Sequence, residues 1–189
     1  MSGLEWLAVA FSAFSVWLTV KQNLWCWPVG LVGVLLFGWL MRDNHLYSQM
    51  ALQGVYAVLQ VYGWWQWTRP DSVREARKVT LLAPAQVRLG LLAGLLMSAA
   101  LGAAMSTWTD GQQPWIDATI TGFSLVAQWW MAQKRVQCWA LWIVVDLVSV
   151  GLFLWQGLYL AAGLYALFTL LAIQGLREWR RDPALVAAA

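Results

Sequence analysis

Apolar residues in this chain neither alternate strictly nor keep to one helical face. They fill long blocks, and polar residues gather in short clusters between them. Lys21-Gln22-Asn23, Arg42-Asp43-Asn44-His45, Asp110 to Pro114 and Gln133-Lys134-Arg135 are such breaks. Blocks such as Leu89 to Met105 and Ala140 to Trp155 run apolar throughout, which excludes the alternating segments of about ten residues that a transmembrane β-barrel needs. A helix crosses a hydrocarbon core of roughly 30 Å with about 20 apolar residues. The blocks therefore predict an all-α membrane protein with seven spans, near 3–20, 24–41, 46–67, 86–106, 115–132, 138–155 and 158–176. The longest break, Thr68 to Ala85, holds two prolines and reads as a linker between two halves.

Composition agrees. Of 189 residues 61% are hydrophobic and only 11% charged, with a mean hydropathy of +0.58. Soluble domains are about a quarter charged, so a soluble enzyme, a disordered chain and a coiled coil all fit poorly. The net charge of +3 does not point to nucleic acid, because no basic stretch outside the spans interleaves aromatic residues. Cys26 and Cys138 lie 112 residues apart and suggest neither a metal site nor a disulfide framework. The N-terminus lacks the positive region and small-residue cleavage site of a signal peptide, and reads as the first span itself.

The few charges set an orientation. Lys21, Arg69, Arg74, Arg77, Lys78, Arg88, Lys134, Arg135, Arg177, Arg180 and Arg181 all fall on one side of a seven-span chain, and only Arg42 falls on the other. Basic loops stay cytoplasmic. The N-terminus is therefore expected outside and the C-terminus inside, in a multi-pass protein of the plasma membrane.

Sliding the chain against itself by 112 residues aligns its first three spans with its last three. Phe11-Ser12 meets Phe123-Ser124, Cys26-Trp27 meets Cys138-Trp139, and Leu46-Tyr47 meets Leu158-Tyr159. Glu5, Trp17, Gly63, Trp67 and Arg69 meet Asp117, Trp129, Gly175, Trp179 and Arg181. The expectation is a single transmembrane domain, 1–189, built from repeat one (1–69), a linker with span four (70–112), repeat two (113–181) and a short cytoplasmic tail (182–189). Both repeats begin outside, so they are parallel, in the 3+1+3 order of SWEET transporters, where substrate sits near the midplane between the repeats.

Polar groups inside a span need a partner or a purpose. Gln49, Gln53, Tyr56 and Gln60 recur at i, i+4, i+7 and i+11, on one face of span three. Their counterparts Ala161, Tyr165, Phe168 and Ala172 are mostly apolar, so the stripe is not required by the repeat. It serves either bonding between helices or a ligand. Span six carries Trp142, Asp146, Ser149 and Phe153 at the same spacing. A lone carboxylate there favours a cationic ligand, or a protonated acid held by hydrogen bonds. Span five shows Asp117, Thr121, Ser124 and Gln128 on one face; Asp117 and Glu5 read as acids favoured by the N-terminal helix dipole. Asn23, Trp25 and Trp27 open span two, with Pro28 in its first turn.

The 16 tryptophans divide. Trp6, Trp115, Trp155 and Trp179 sit near span ends and read as interfacial anchors; Trp64, Trp65 and Trp67 form a possible belt at the end of span three. Trp27, Trp129, Trp130, Trp139 and Trp142 are candidates to stack on a flat ring or a cation. No Walker loop, zinc-spaced His/Cys set or Ser-His-Asp set occurs. The one histidine, His45, falls in a loop. No cofactor, metal or catalytic residue is expected.

The stretch Asn23-Leu24-Trp25-Cys26-Trp27-Pro28-Val29-Gly30, followed by Leu46-Tyr47, Leu52-Gln53 and Tyr62-Gly63-Trp64 to Trp67, resembles the first-half signature of PnuC-type vitamin transporters. Lys134-Arg135, Trp139, Trp142, Asp146, Gln156 to Tyr159, Tyr165 and Gly175 to Trp179 resemble the second half. The resemblance implies a SWEET-like fold and a bacterial inner-membrane carrier of nicotinamide riboside, working by facilitated diffusion for NAD biosynthesis, with a cytoplasmic kinase trapping the substrate. Relatives carry thiamine, riboflavin or deoxynucleosides. One departure stands out: the family often has Glu-Asn before the tryptophan of span six, where this chain has Gln137-Cys138.

The sequence thus predicts a nicotinamide riboside uniporter with alternating access between two helix bundles. Thiamine is the alternative substrate; a membrane-embedded enzyme or a non-transporting binding subunit is the alternative class. The expected substrate-binding residues are Gln53, Tyr56, Gln60, Trp142 and Asp146, with Asn23, Trp27, Gln49, Trp139 and Tyr165 around them. The expected partners are the lipid bilayer and a small cationic aromatic nucleoside or vitamin. Tryptophan-rich spans suit a monomer or a homo-oligomer equally.

Overall fold

The computed structural model describes residues 3–43, 47–69, 78–108 and 113–186. His45, Arg74, Arg77, Asp110 and residues 70–77 of the expected linker lie outside them. The helices are α1 (Gly3–Val20), α2 (Cys26–Asp43), α3 (Tyr47–Thr68), α4 (Pro84–Trp108), α5 (Pro114–Ala132), α6 (Gln137–Trp155), α7 (Tyr159–Arg180) and the four-residue α8 (Pro183–Val186). Seven long helices thus coincide with the seven apolar blocks. Four of them, α1, α4, α6 and α7, are by themselves long and apolar enough to cross a membrane, and α2 contains a shorter apolar stretch, Cys26–Leu40. α3 and α5, which carry Gln49, Gln53 and Gln60 and Asp117 and Gln128, are not among the four.

The helix ends follow local chemistry. Glu5 and Asp117 stand in the first turns of α1 and α5, where the helix dipole favours an acid. Asn23 Oδ1 accepts a hydrogen bond from the Trp25 N–H at 2.9 Å, an Asx turn leading into α2. Between α6 and α7, Leu158 N–H reaches back to Phe153 O at 2.8 Å and Gly157 N–H to Leu154 O at 3.1 Å. That pattern needs a left-handed residue, and Gly157 supplies it with φ 74°.

The chain divides into two compact units. Unit 1 is Met1–Lys78 with Ala132–Lys134; unit 2 is Val79–Met131 with Arg135–Ala189. Unit 1 packs α1 on α2 and α2 on α3 through small residues of α2. A Cβ on Gly33 would lie 2.9 Å from Ser12 Oγ of α1. One on Gly30 would lie 2.7 Å from both Ser15 Oγ of α1 and Gln60 Nε2 of α3. Ser15 Oγ also donates to Cys26 O at 2.9 Å, and Thr19 Oγ1 to Ser15 O at 2.9 Å, which fixes the start of α2 against α1.

In unit 2, Gly90, Gly94, Ser98 and Gly102 recur every fourth residue along α4. An added Cβ on Gly94 would stand 2.8 Å from Phe123 of α5, and ones on Gly102 and Gly90 would collide with Trp115 and Trp130. The small stripe brings two helix backbones close, the usual basis of helix association in lipid. The segment before α4 is pinned as well. Thr80 pairs with Arg135 as an isolated bridge, and Arg135 donates to Thr80 Oγ1 at 2.9 Å. Gln137 Oε1 accepts from Leu82 N–H at 3.1 Å while Gln137 Nε2 donates to Leu82 O at 3.3 Å.

Two tryptophans expected near the membrane surface are instead packing residues. Trp179 is 0% exposed and Trp67 2% exposed. Trp179 is drawn inside because α7 continues to Arg180, beyond the expected end at 176, supported by a Gln174–Glu178 hydrogen bond of 2.8 Å. Trp6, Trp115 and Trp155 are exposed, as anchors would be.

Candidate functional site

Pairs related by the offset of 112 share geometry to a close degree. Trp27 meets Trp67 edge-on with centroids 5.3 Å apart and planes at 84°; Trp139 meets Trp179 at 5.3 Å and 89°. A Cβ on Gly175 would lie 2.6 Å from the Trp139 ring, and one on Gly63 would collide with Trp27. Cys26 N–H and Cys138 N–H bond to Asn23 O and Arg135 O, both at 3.0 Å.

These contacts place Trp27 and Trp139 inside helix packing. They are 2% and 1% exposed, each held between a glycine and a second indole. Their Nε1 atoms, and that of Trp142, are buried without a hydrogen-bond partner among the described residues. A buried N–H left unpaired costs about 1–3 kcal/mol.

The stripe of α3 faces α2 in part. Gln60 Nε2 lies against Gly30, as above, and Gln53 Cβ lies against Gly38, where an added Cβ would be 3.5 Å away. Tyr56 is half-buried. Gln49 belongs to α3 by its backbone, and its side chain is outside the description. Asn23 is exposed and its side chain oxygen holds the Trp25 N–H.

The second half carries different groups at the same register. Where unit 1 has Gly30, Gln60 and Ser15, unit 2 has Trp142, Ala172 and Ala127, so one large ring and two small residues replace one glycine and two polar side chains. Tyr165, the counterpart of Gln53, lies between Phe153 of α6 at 5.2 Å and Phe168 of α7 at 5.8 Å.

Asp146 is the outstanding group. It is 3% exposed and makes no hydrogen bond or ion pair among the described residues. It follows Trp142 by one turn on α6, while Ser149, 0% exposed, spends its hydroxyl on Val145 O at 2.9 Å. A buried carboxylate with no partner is costly as an anion, so a cation or a proton delivered from outside the protein would relieve it. Asp146 and Trp142 were singled out from the sequence, whereas the packing roles of Gly30, Gly63 and Gly175 were not; the structure shows them through the side chains that fill each notch, Gln60 and Ser15 at Gly30 and an indole at Gly63 and Gly175.

A family model described as nicotinamide mononucleotide transporter matches residues 2–181. The nicotinamide riboside transporter PnuC of Escherichia coli (strain K12) is 29% identical over 175 residues, covering 79% of this chain and 73% of its own length. The riboflavin/roseoflavin transporter RibM of Streptomyces davaonensis is 30% identical over 170 residues, covering 86% and 79%. The crystal structure of the vitamin B3 transporter PnuC matches with a TM-score of 0.75 at 22% identity, over 94% of this chain and 80% of that one, and shows a shared fold.

Proposed function

The chain belongs to the nicotinamide mononucleotide transporter family, and from that membership we propose that it carries nicotinamide riboside across the inner membrane by facilitated diffusion. It is a multi-pass membrane transporter and not an enzyme. The observation that carries the choice of substrate is Asp146, a carboxyl group buried on α6 with no hydrogen bond or ion pair among the described residues. Nicotinamide riboside presents a flat pyridinium cation on a ribose. Riboflavin, in the name of the relative RibM, offers a flat ring without that charge.

In this reading the seven long helices are seven spans, with α1–α3 and α5–α7 as parallel copies on either side of α4 in a SWEET-like 3+1+3 order. The matched Trp–Trp and Trp–Gly geometry at the offset of 112 supports the duplication. The distribution of basic residues supports an outside N-terminus and an inside C-terminus. In the second half Asp146 meets the cation, with Trp142 and Tyr165 as the rings offered to it; in the first half Gln53, Tyr56 and Gln60 are the polar side chains suited to ribose hydroxyls. Trp27 and Trp139, each held in a glycine notch, shape the bundles that carry these groups. The bundles alternate access, and a cytoplasmic kinase traps the product by adding a phosphate, so no energy source is needed in this chain.

Counterflow tests the proposal. Proteoliposomes holding only this protein and preloaded with unlabelled nicotinamide riboside should accumulate the labelled compound. An excess of riboflavin should leave that signal intact, and thiamine, also a flat cation, is the comparison that ranks the two. Counterflow of riboflavin with none of nicotinamide riboside would reject the substrate; no counterflow of any of the three would reject the carrier.

A further inference from the structure

The outward face of α7 changes character towards the end of the helix. The inward stripe, Ala172, Gly175 and Trp179, is buried, with Gly175 and Trp179 both set against Trp139 of α6. On the opposite side stand Leu167 and Leu170, 44% and 65% exposed, and then Arg177 and Arg181, both exposed. Steps of three and four residues, through Gln174, keep these positions on one face. Arg180, exposed as well, flanks it. An apolar face thus turns basic between Leu170 and Arg177.

Packing behind the arginines holds them together. Trp179 is 0% exposed and edge-on to Trp139, so the helix keeps its form to Arg180. Arg181 N–H still bonds to Glu178 O at 3.1 Å, which brings the third arginine round the same turn. Glu178, the acid among them, accepts from Gln174 Nε2 at 2.8 Å, and Asp182 follows in the chain.

These arginines differ from others in the chain. Arg135 donates to Thr80 Oγ1, Arg42 lies over the Trp39 ring, and Arg69 lies over the Trp65 ring. Among the described residues, Arg177, Arg180 and Arg181 make no hydrogen bond, ion pair or ring contact. The helix dipole favours bases at this end, but a dipole does not occupy the five N–H donors that each guanidinium presents.

We propose that the C-terminal end of α7 is a binding site for an anionic phospholipid. Arg177, Arg180 and Arg181 take the headgroup phosphate through the paired N–H bonds that a guanidinium makes with it. Leu170 and Leu167 lie beside an acyl chain of the same lipid. Between Leu170 and Arg177 the helix rises about 10 Å, which separates the headgroup level from the upper part of the chains. An anionic headgroup adds a net charge that a zwitterionic one lacks, and basic residues at a membrane surface respond to that charge. The site lies on one helix of unit 2 and depends neither on which substrate is carried nor on which side each terminus faces.

Native mass spectrometry of the full chain in neutral detergent tests the site, with phosphatidylglycerol, phosphatidylcholine or inorganic phosphate added. The parent should bind phosphatidylglycerol with about tenfold or more preference over phosphatidylcholine. Arg177→Gln/Arg180→Gln/Arg181→Gln should reduce that preference to about twofold or less, while its melting midpoint in lipid-free detergent stays at the parent value, because all three side chains are exposed. Arg177→Gln alone should weaken phosphatidylglycerol binding by about threefold or more. Arg42→Gln/Arg69→Gln/Arg88→Gln removes the same charge elsewhere and should keep the parent's preference. Equal loss in both triple variants would make the effect one of net charge and overturn the site. A parent without preference, or an α7 triple variant that keeps it, overturns the site as well. Inorganic phosphate at millimolar concentration should leave the lipid bound; displacement by it would show a free-anion site and overturn the lipid assignment.

Discussion

Trp139 occupies a notch that only glycine leaves open: a Cβ added to Gly175 would stand 2.6 Å from its ring. The same relation joins Trp27 to Gly63 in the other half, where the added atom would collide outright. Each indole meets a second tryptophan edge-on, 5.3 Å away. In a membrane, contacts of this kind carry association, since lipid gives helices no reason to leave it other than better packing.

Gly63→Ala and Gly175→Ala should therefore each destabilise the protein, by about 1–3 kcal/mol, as overpacking does. Gly163→Ala is the control, because nothing lies within 4 Å of its added Cβ, and alanine is the better helix former. Thermal unfolding in detergent should show lower midpoints for the first two variants and an unchanged or higher midpoint for the third. Equal midpoints in all three would contradict the notch.

Gly30 and Gln60 should be coupled. An alanine at 30 would press on Gln60 Nε2 and Ser15 Oγ, both 2.7 Å from its Cβ. The other half has Trp142 at the matching position, with Ala172 and Ala127 at the positions that correspond to Gln60 and Ser15. Gly30→Ala should lower stability, and adding Gln60→Ala should recover part of the loss, with a coupling of about 0.5–3 kcal/mol in a double-mutant cycle. Strict additivity would mean that Gln60 does not fill the space at Gly30.

Gln137, where the family often has glutamate, is a clamp on the segment leading to α4. Its side-chain oxygen accepts from Leu82 N–H and its nitrogen donates to Leu82 O. Gln137→Glu keeps the acceptor and sets a second oxygen against Leu82 O, so it should cost about 1–3 kcal/mol. The affinity for substrate, read by calorimetry on the folded protein, should stay at the parent value. A large loss of affinity with unchanged stability would instead place Gln137 at the ligand.

The helices were legible in the sequence because every break between apolar blocks carries charged or amide residues, and the observed ends mostly fall within a few residues of those breaks. The end of α7 was not. Arg177, Glu178 and Arg180 resemble a loop, but Trp179 is held in by Trp139 and the helix continues. Tryptophan near a helix end is ambiguous by nature, since one residue type serves both the membrane surface, as Trp155 does, and a packed bundle, as Trp67 and Trp179 do. Partners across helices, such as Gln60 on Gly30, depend on how the helices cross, which the spacing along one helix does not encode. Asp146 was conspicuous in the sequence because a carboxylate deep in an apolar block stands out whatever surrounds it; that no group among the described residues answers it is visible only in three dimensions.

Uptake of labelled nicotinamide riboside by proteoliposomes containing the parent, Asp146→Asn or Ser149→Ala tests the account most directly. Asparagine keeps the shape of the side chain and removes its charge, while Ser149 is satisfied by Val145 O. The account predicts that Asp146→Asn lowers uptake by about tenfold or more, the loss of roughly 1.4 kcal/mol or more of interaction with a cation, and that Ser149→Ala stays close to the parent. Equal uptake by Asp146→Asn and the parent would contradict it.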